Sequence, residues 1–329
     1  MKRRSGLIAT AGWTASTLAV FDSSFTIAAE HPPTVGLVSI SRPEVAKPAI
    51  ERLLEQLRAT GLVEGRDFEF DGRYASGDPG RLDALAQELV RANPAVIVAG
   101  AGAIPALTRA TITIPIVMWA VSNPVEAGLV RSLSNPGGNL TGVTYNPPEI
   151  GAKIIDVLKM AAPHVSRIAL VWNPDAQGMV QFKGEVERGA RSARVTVSYI
   201  DLHEAADYRP ELLDAARPDA LYVTWDPTVL AVIAPRLVEY VAGRRLPSIG
   251  VLRQFVEMGG LMSLGPDPKE LTSVVARLVG RILNGASPAT LPIEQPTRYE
   301  LIVNRRTADA IGLRLPRELL LRASEVIEK

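Results

Sequence analysis

Cysteine is absent from this 329-residue chain. That excludes disulfides, thiolate metal sites, a cysteine nucleophile and a cysteine-linked lipid anchor. Histidine is scarce: His31, His164 and His203 stand far apart and form no metal-binding spacing such as H-x-x-x-H. Excess charge of one sign is missing too. Lys plus Arg number 36 and Asp plus Glu 35, so no overall field draws the chain to nucleic acid or to an acidic membrane. Past residue 29, no apolar run reaches the roughly 18 residues that a membrane span needs.

Catalytic motifs are also lacking. Ser263 lies in Gly260-Leu261-Met262-Ser263-Leu264-Gly265, which is not the G-x-S-x-G of a nucleophile elbow. P-loop, H-E-x-x-H and EF-hand spacings do not occur. Gly100-x-Gly102 opens like a dinucleotide fingerprint but lacks the third glycine and a correctly placed acid. A backbone anion nest is the better use of Gly100 to Ala103. Acid pairs such as Asp67 and Glu69 have surface-like surroundings. The chain is expected not to be an enzyme and to need no cofactor or metal.

What is present suits burial. Hydrophobic residues make up 47% and charged residues 22%, enough for two cores in domains of roughly 120 to 170 residues. The N-terminus reads as a leader. Met1-Lys2-Arg3-Arg4 is basic, Ser5 to Phe21 is mostly apolar, and small residues lead up to Ala28-Ala29. Residues 1–29 are expected to be an export signal cleaved after Ala28 or Ala29, leaving a soluble periplasmic protein. Arg3-Arg4 with Leu7 loosely matches a twin-arginine signal, while an ordinary basic start is the plainer reading. Both routes stay open.

Beyond Pro33 one unit recurs, a short β-branched strand followed by an amphipathic helix. Strands are expected at Thr34 to Ile40, Ala95 to Ala99, Ile114 to Trp119, Arg167 to Trp172, Val195 to Ile200, Ala220 to Trp225 and Leu246 to Val251. Shorter ones are expected at Asp67 to Phe70 and Tyr299 to Asn304. Helices fall between them, as at Glu44 to Leu62 and Lys269 to Leu283. Such alternation gives parallel sheets with right-handed crossovers. The turn-rich Asn135-Pro136-Gly137-Gly138-Asn139 divides the strands into two sheets. The chain is expected to cross between lobes near Gly142 to Pro148 and to return near Gly259 to Pro268. Lobe 1 is then 30–145 plus about 265–295, and lobe 2 is 146–264 plus about 296–329.

Open α/β sheets bind ligands outside the carboxyl ends of their strands. Three such ends share a pattern: Trp119 precedes Ser122-Asn123-Pro124, Trp172 precedes Asn173-Pro174, and Trp225 precedes Asp226-Pro227. Asx at an N-cap with Pro at the first helical position predicts a helix opening at each strand mouth. Its free N–H groups and dipole would face an acceptor. The alternative is that Asx-Pro only ends the strand while the indole packs between sheet and helix. Ser39 and Ser41 after the first strand, and Gly102 and Ala103 after the Ala95 to Ala99 strand, complete the candidates with Ser263. The ligand classes that fit are an amino acid, an aromatic acid or a small carboxylate.

Several segments carry a resemblance. They are Gly61-Leu62-Val63-Glu64-Gly65-Arg66-Asp67, Ile114-Pro115-Ile116-Val117 and Ser132 to Val143 with its Asn-Pro-Gly-Gly-Asn block. Gly259-Gly260-Leu261-Met262-Ser263 and Gln295-Pro296-Thr297-Arg298-Tyr299-Glu300-Leu301 complete the set. In that order the chain resembles the bacterial ABC transporter substrate-binding proteins related to the tryptophan/tyrosine-binding group. The resemblance implies a type I periplasmic-binding-protein-like fold, with two doubly wound lobes, a three-segment hinge and a ligand in the cleft. It also implies an ABC permease and ATPase as partners of a monomeric protein whose lobes close on the ligand. Family members often carry Asp-Pro where this chain has Asn123-Pro124, which removes an anchor for a ligand ammonium group. The competing reading is an extracytoplasmic sensory ligand-binding protein without a transport role.

Overall fold

The computed structural model describes residues 32–145, 150–175, 179–224 and 232–328, all within one unit, Pro32–Lys329. Two sheets form because two sets of short apolar runs are each buried on both faces. The first set is β1 (Thr34–Ser39), β2 (Glu69–Tyr74), β3 (Val96–Gly100), β4 (Ile116–Val121) and β5 (Leu140–Thr144). All five are parallel, in the order β2-β1-β3-β4-β5. Helices α1 (Pro43–Ala59), α2 (Leu82–Arg91) and α3 (Ile104–Ala110) supply the crossovers. Val35 and Leu37 point into the cluster that holds Leu53 and Leu57 of α1. Val38 points into the opposite cluster with Leu89 of α2. This alternation covers both faces of the sheet.

The second sheet contains β6 (Arg167–Trp172), β7 (Thr196–Asp201), β8 (Ala220–Val223), β9 (Ser248–Gly250), β10 (Met262–Pro266), β11 (Tyr299–Asn304) and β12 (Glu325–Ile327). Its order is β12-β11-β10-β9-β8-β6-β7. The helices between are α4 (Ile150–Ala161), α5 (Met179–Ala193), α6 (Pro210–Ala216), α7 (Ala234–Arg244) and α8 (Arg253–Glu257). Two more, α10 (Arg305–Ile311) and α11 (Arg317–Arg322), follow β11. The strands from β7 to β10 run parallel, whereas β11 pairs antiparallel to β10, a departure from all-parallel sheets.

One helix belongs to the other sheet. α9 (Pro268–Leu283) leaves β10 yet packs against α1, β3, β4 and β5. Its Leu271, Val275, Leu278 and Val279 are buried, each worth about 1.5–3 kcal/mol. That burial commits α9 to the five-stranded lobe. The chain therefore passes between the sheets after β5, after β10 and before β11.

β5 and β10 were not expected as strands, since each contains a glycine that reads as punctuation. Gly142 is required inside β5: its φ is +148°, and an added Cβ would strike the Met118 carbonyl and amide of β4. In β10, Gly265 packs so closely that a Cβ would clash with the Val251 carbonyl oxygen. The crossings accordingly start at the far ends of these strands.

At the opposite end of the second sheet, Asp219 holds the start of β6. Its carboxylate accepts from Ser166 N (3.0 Å), Ser166 Oγ (2.8 Å) and Arg167 N (2.9 Å) and pairs with the Arg167 guanidinium (2.7 Å). The guanidinium and these donors hold its pKa well below the usual carboxylate range. A lowered folded pKa adds stability above the unfolded value of about 4, and that stability is lost as pH falls toward the folded pKa. Asp219→Asn is expected to lower stability at pH 7 by about 1 kcal/mol, since the group is partly solvated. Thermal melts of both proteins across pH should show the gap narrowing below about pH 4; a gap independent of pH would contradict this role.

Candidate functional site

Parallel strands deliver their carboxyl ends to one edge of each sheet, and there the candidate residues gather. In the five-stranded lobe, β1 ends at Ser39, and the Ser39 Oγ accepts from Ser41 N at 3.2 Å, so the chain turns sharply. Arg42 is the N-cap of α1 without a side-chain cap bond, and Pro43 begins the helix. In that first turn Pro43 has no N–H, and the Val45 and Ala46 amides donate to the Arg42 carbonyl at 3.1 and 3.0 Å. Gly102 lies in the short turn Ala101–Ala103 after β3, where a Cβ would stand 3.6 Å from Ile40. The mouths of β1 and β3 therefore adjoin. Ala103, in contrast, is 1% exposed within the core and is not presented to the mouth.

β4 supplies three more. Trp119 is half-buried and opposite Gly100 and Val143 in register. The register then slips between Trp119 and Val121, and Ala120 takes a φ of +62°. Such a bulge re-aims the residues beyond it. Ser122 and Asn123 follow, both half-buried, and Asn123 Nδ2 donates to Glu126 Oε2 at 3.4 Å. No helix opens here. Asn123 has a φ of +41° rather than the extended backbone of an N-cap, and the single turn that follows ends at Gly128, φ +67°. The expected Asn-Pro helix start is corrected at this position.

In the seven-stranded lobe, Asn173 stands beyond β6, half-buried, with its Oδ1 accepting from Asp175 N at 2.9 Å. That bond makes an Asx turn; α5 is described from Met179, and the residues that would show whether a helix opens at Asn173-Pro174 lie outside the described ones. Trp172 is a core residue. It is 6% exposed, its Nε1 donates to Asp201 Oδ1 at 2.5 Å, and its ring tilts against Tyr199 with centroids 5.2 Å apart. Trp225 and Asp226 lie outside the described residues. Ser263 is 1% exposed inside β10, opposite Gly250 and Ile302. Because β10 runs on to Pro266, the mouth of that strand lies beyond Pro266, not at Ser263.

Four residues at this edge were not singled out from the sequence. Tyr145 directly follows β5, is 1% exposed, and donates its hydroxyl to the Val251 carbonyl beyond β9. Thr224 follows β8, and its Oγ1 donates to the Val171 carbonyl at 3.1 Å. Asp175 and His203 join the β6 and β7 mouths, Oδ2 to Nδ1, at 2.5 Å. A signal existed for the first: Tyr145-Asn146-Pro147 repeats the aromatic-Asx-Pro pattern of Trp172-Asn173-Pro174.

No group of His, Asp and Glu among the described residues is arranged to hold a metal. No described helix is long and apolar enough to cross a membrane. A shallow depression bounded by Pro33, Asn93, Pro94 and Pro115 lies at the amino ends of β1, β3 and β4. It is at the wrong edge of the sheet for a ligand held by strand mouths.

Two α/β lobes with adjoining strand mouths, joined by three crossings, define a type I periplasmic-binding-protein-like fold. Residues 37–327 match the family described as ABC transporter substrate binding protein, and the chain belongs to that family. It is 25% identical to the tyrosine-binding protein of Clostridioides difficile (strain R20291), over 83% of this chain and 79% of that protein. A conserved domain protein from Vibrio cholerae superposes with a TM-score of 0.82 at 29% identity, covering 89% of this chain and 99% of the other. The Streptococcus pneumonia ABC domain in complex with L-Trp gives a TM-score of 0.80 at 24% identity, covering 89% and 100%. That neighbour supports the fold. As a member of a substrate-binding family the chain is a binding protein and not an enzyme.

The tie between the β6 and β7 mouths responds to pH. The Asp175 carboxylate raises the His203 pKa above its ordinary value, first by hydrogen bonding and then by charge. A raised folded pKa favours the folded form below the unfolded value of about 6.5, and that contribution is lost as pH rises through the folded pKa. Side-chain NMR titration should place His203 above the ordinary histidine value of about 6.5, and Asp175→Asn should lower it; an unchanged His203 titration would contradict the pair.

Proposed function

We propose that this chain is an exported binding protein that captures a small amino acid or carboxylate between its lobes and passes it to an ABC permease and ATPase. Residues 1–29 serve as the export leader into the periplasm. Lobe 1 comprises 30–145 with about 265–295, and lobe 2 comprises 146–264 with about 296–329. The observation that carries this reading is the gathering of hydroxyl, amide and aromatic groups at the carboxyl ends of the parallel strands in two separate sheets.

In the proposed site, Ser39, Ser41 and Gly102 offer hydroxyl and backbone donors to an acceptor such as a carboxylate. Trp119 supplies an aromatic wall, and Ser122 and Asn123 border it. Asn173 borders it from the other lobe, and Trp225 and Asp226, next after Thr224 in the sequence, complete the proposed contacts. A ligand touching both lobes gains its full contacts only when they close, so binding shifts the balance toward the closed form, which the permease reads. The tyrosine-binding relative supports an aromatic amino acid as the first ligand to test. Asp226 is then the candidate for the ligand ammonium group, because position 123 offers an amide and not a carboxylate.

Thermal-shift and calorimetric titration of the mature protein with L-tyrosine, L-tryptophan, L-phenylalanine, benzoate and a neutral sugar tests this. An aromatic amino acid at 100 times its Kd should add about 2.7 kcal/mol of stability, and its binding should alter tryptophan fluorescence. Asp226→Asn should weaken binding by about 1–3 kcal/mol. Binding of the sugar alone would contradict the proposed ligand class. Unchanged affinity in Asp226→Asn would reject that residue.

A further inference from the structure

The first crossing carries a side chain that reaches from one lobe into the other. The backbone of Tyr145 continues β5 of the five-stranded lobe, and its side chain is buried in an apolar cluster that holds residues of both lobes, Val117 and Val143 of one and Tyr222, Ile249 and Val251 of the other. Its hydroxyl donates to the Val251 carbonyl at 3.3 Å. Burial pushes the phenol pKa well up, so the group stays a neutral donor.

The second crossing is built around the same point. Gly265, one residue before β10 ends, lies against the Val251 carbonyl so closely that any Cβ would strike the oxygen, and that Cβ would stand 3.4 Å from the Tyr145 hydroxyl. The third crossing is tied to the second. Asp267 N donates to Arg298 O at 3.0 Å, and the Glu270 carboxylate accepts from Thr297 Oγ1 at 2.6 Å and Arg298 N at 2.9 Å. Toward the five-stranded lobe, Thr144 N donates to Glu294 O at 2.8 Å, beside Tyr145. The crossings converge on one carbonyl, with a hydroxyl from the first and a bare Cα from the second.

We propose that the Tyr145 hydroxyl, the Val251 carbonyl and Gly265 form an interlobe pin that restricts how far the lobes swing apart and so sets the affinity for ligand. This rests on the reading of the chain as a lobe-closing binding protein. Tyr145 is a positioning residue: it touches no ligand and acts by holding the first crossing against the seven-stranded lobe. Without the pin, the ligand-free protein spreads over wider lobe arrangements and loses more freedom on closing.

The test compares wild type, Tyr145→Phe and Gly265→Ala by small-angle X-ray scattering without ligand and by calorimetry with L-tyrosine and L-tryptophan. Tyr145→Phe keeps the ring and removes the hydroxyl with its bond to the Val251 carbonyl. It should enlarge the ligand-free radius of gyration and weaken binding about 3- to 10-fold, the scale of one hydrogen bond. Gly265→Ala should act in the same direction, and the double variant should be less than additive in affinity because both changes act on one carbonyl. Wild-type scattering and affinity in Tyr145→Phe, whatever its melting temperature, would overturn the pin and leave an ordinary core bond. If wild type bound neither amino acid, the ligand reading would fail. The scattering of ligand-free Tyr145→Phe would still decide the pin, wild-type dimensions rejecting it.

Discussion

Every strand of a parallel sheet ends at the same edge, and the loops and helix starts that follow must collect there. This polarity is the constraint from which the rest of the structure follows. It puts Ser39, Ser41, Gly102, Trp119 and Ser122 along one rim although up to 83 residues of chain separate them. It does the same for Asn173, Thr224 and Val251 in the second sheet. Polar groups that would be costly inside either core are satisfied at an edge by local turns, as with Ser41 N on Ser39 Oγ and Asp175 N on Asn173 Oδ1.

Strength and mobility are divided between different parts of the molecule. The lobes are held by apolar burial on both faces of each sheet, and α9 is fixed to the five-stranded lobe by a long buried face although it follows a strand of the other. The crossings instead rely on a few directed polar contacts. Glu270 gathers donors from Thr297 and Arg298, and Arg277 grips Glu294 through two bonds of 2.8 and 2.7 Å. Such contacts are individually modest, on the order of 1 kcal/mol. They orient the second and third crossings relative to one another, while Tyr145 of the first crossing is packed in the core that both lobes share.

The α/β class was legible because β-branched runs and 3.6-residue periodicity alternate without interruption. Arg167–Trp172 and Tyr299–Asn304 match their expected limits, since their apolar runs are bounded by clear breaks. β5 and β10 were hidden because Gly142 and Gly265 serve close backbone approach, a tertiary demand with no local signature. The rim was partly legible. Strand polarity located Ser39, Ser41 and Gly102, but Asn123 shapes a turn rather than capping a helix. Trp172 proved to be a core residue because Asp201, on the adjacent strand, satisfies its indole N–H. Tyr145 escaped notice because its role depends on a carbonyl 106 residues away.

The account stands on one placement, a captured molecule between the strand mouths of two sheets. A crystal structure of the mature protein grown with L-tyrosine or L-tryptophan tests it most directly. The account predicts the amino acid enclosed between the Ser39–Ser41 and Ser122–Asn123 rim of one lobe and the Asn173 and Asp226 loops of the other. Density for the amino acid at the opposite edge of the sheets, near Asn93 and Pro115, with the strand mouths filled only by solvent, would contradict it.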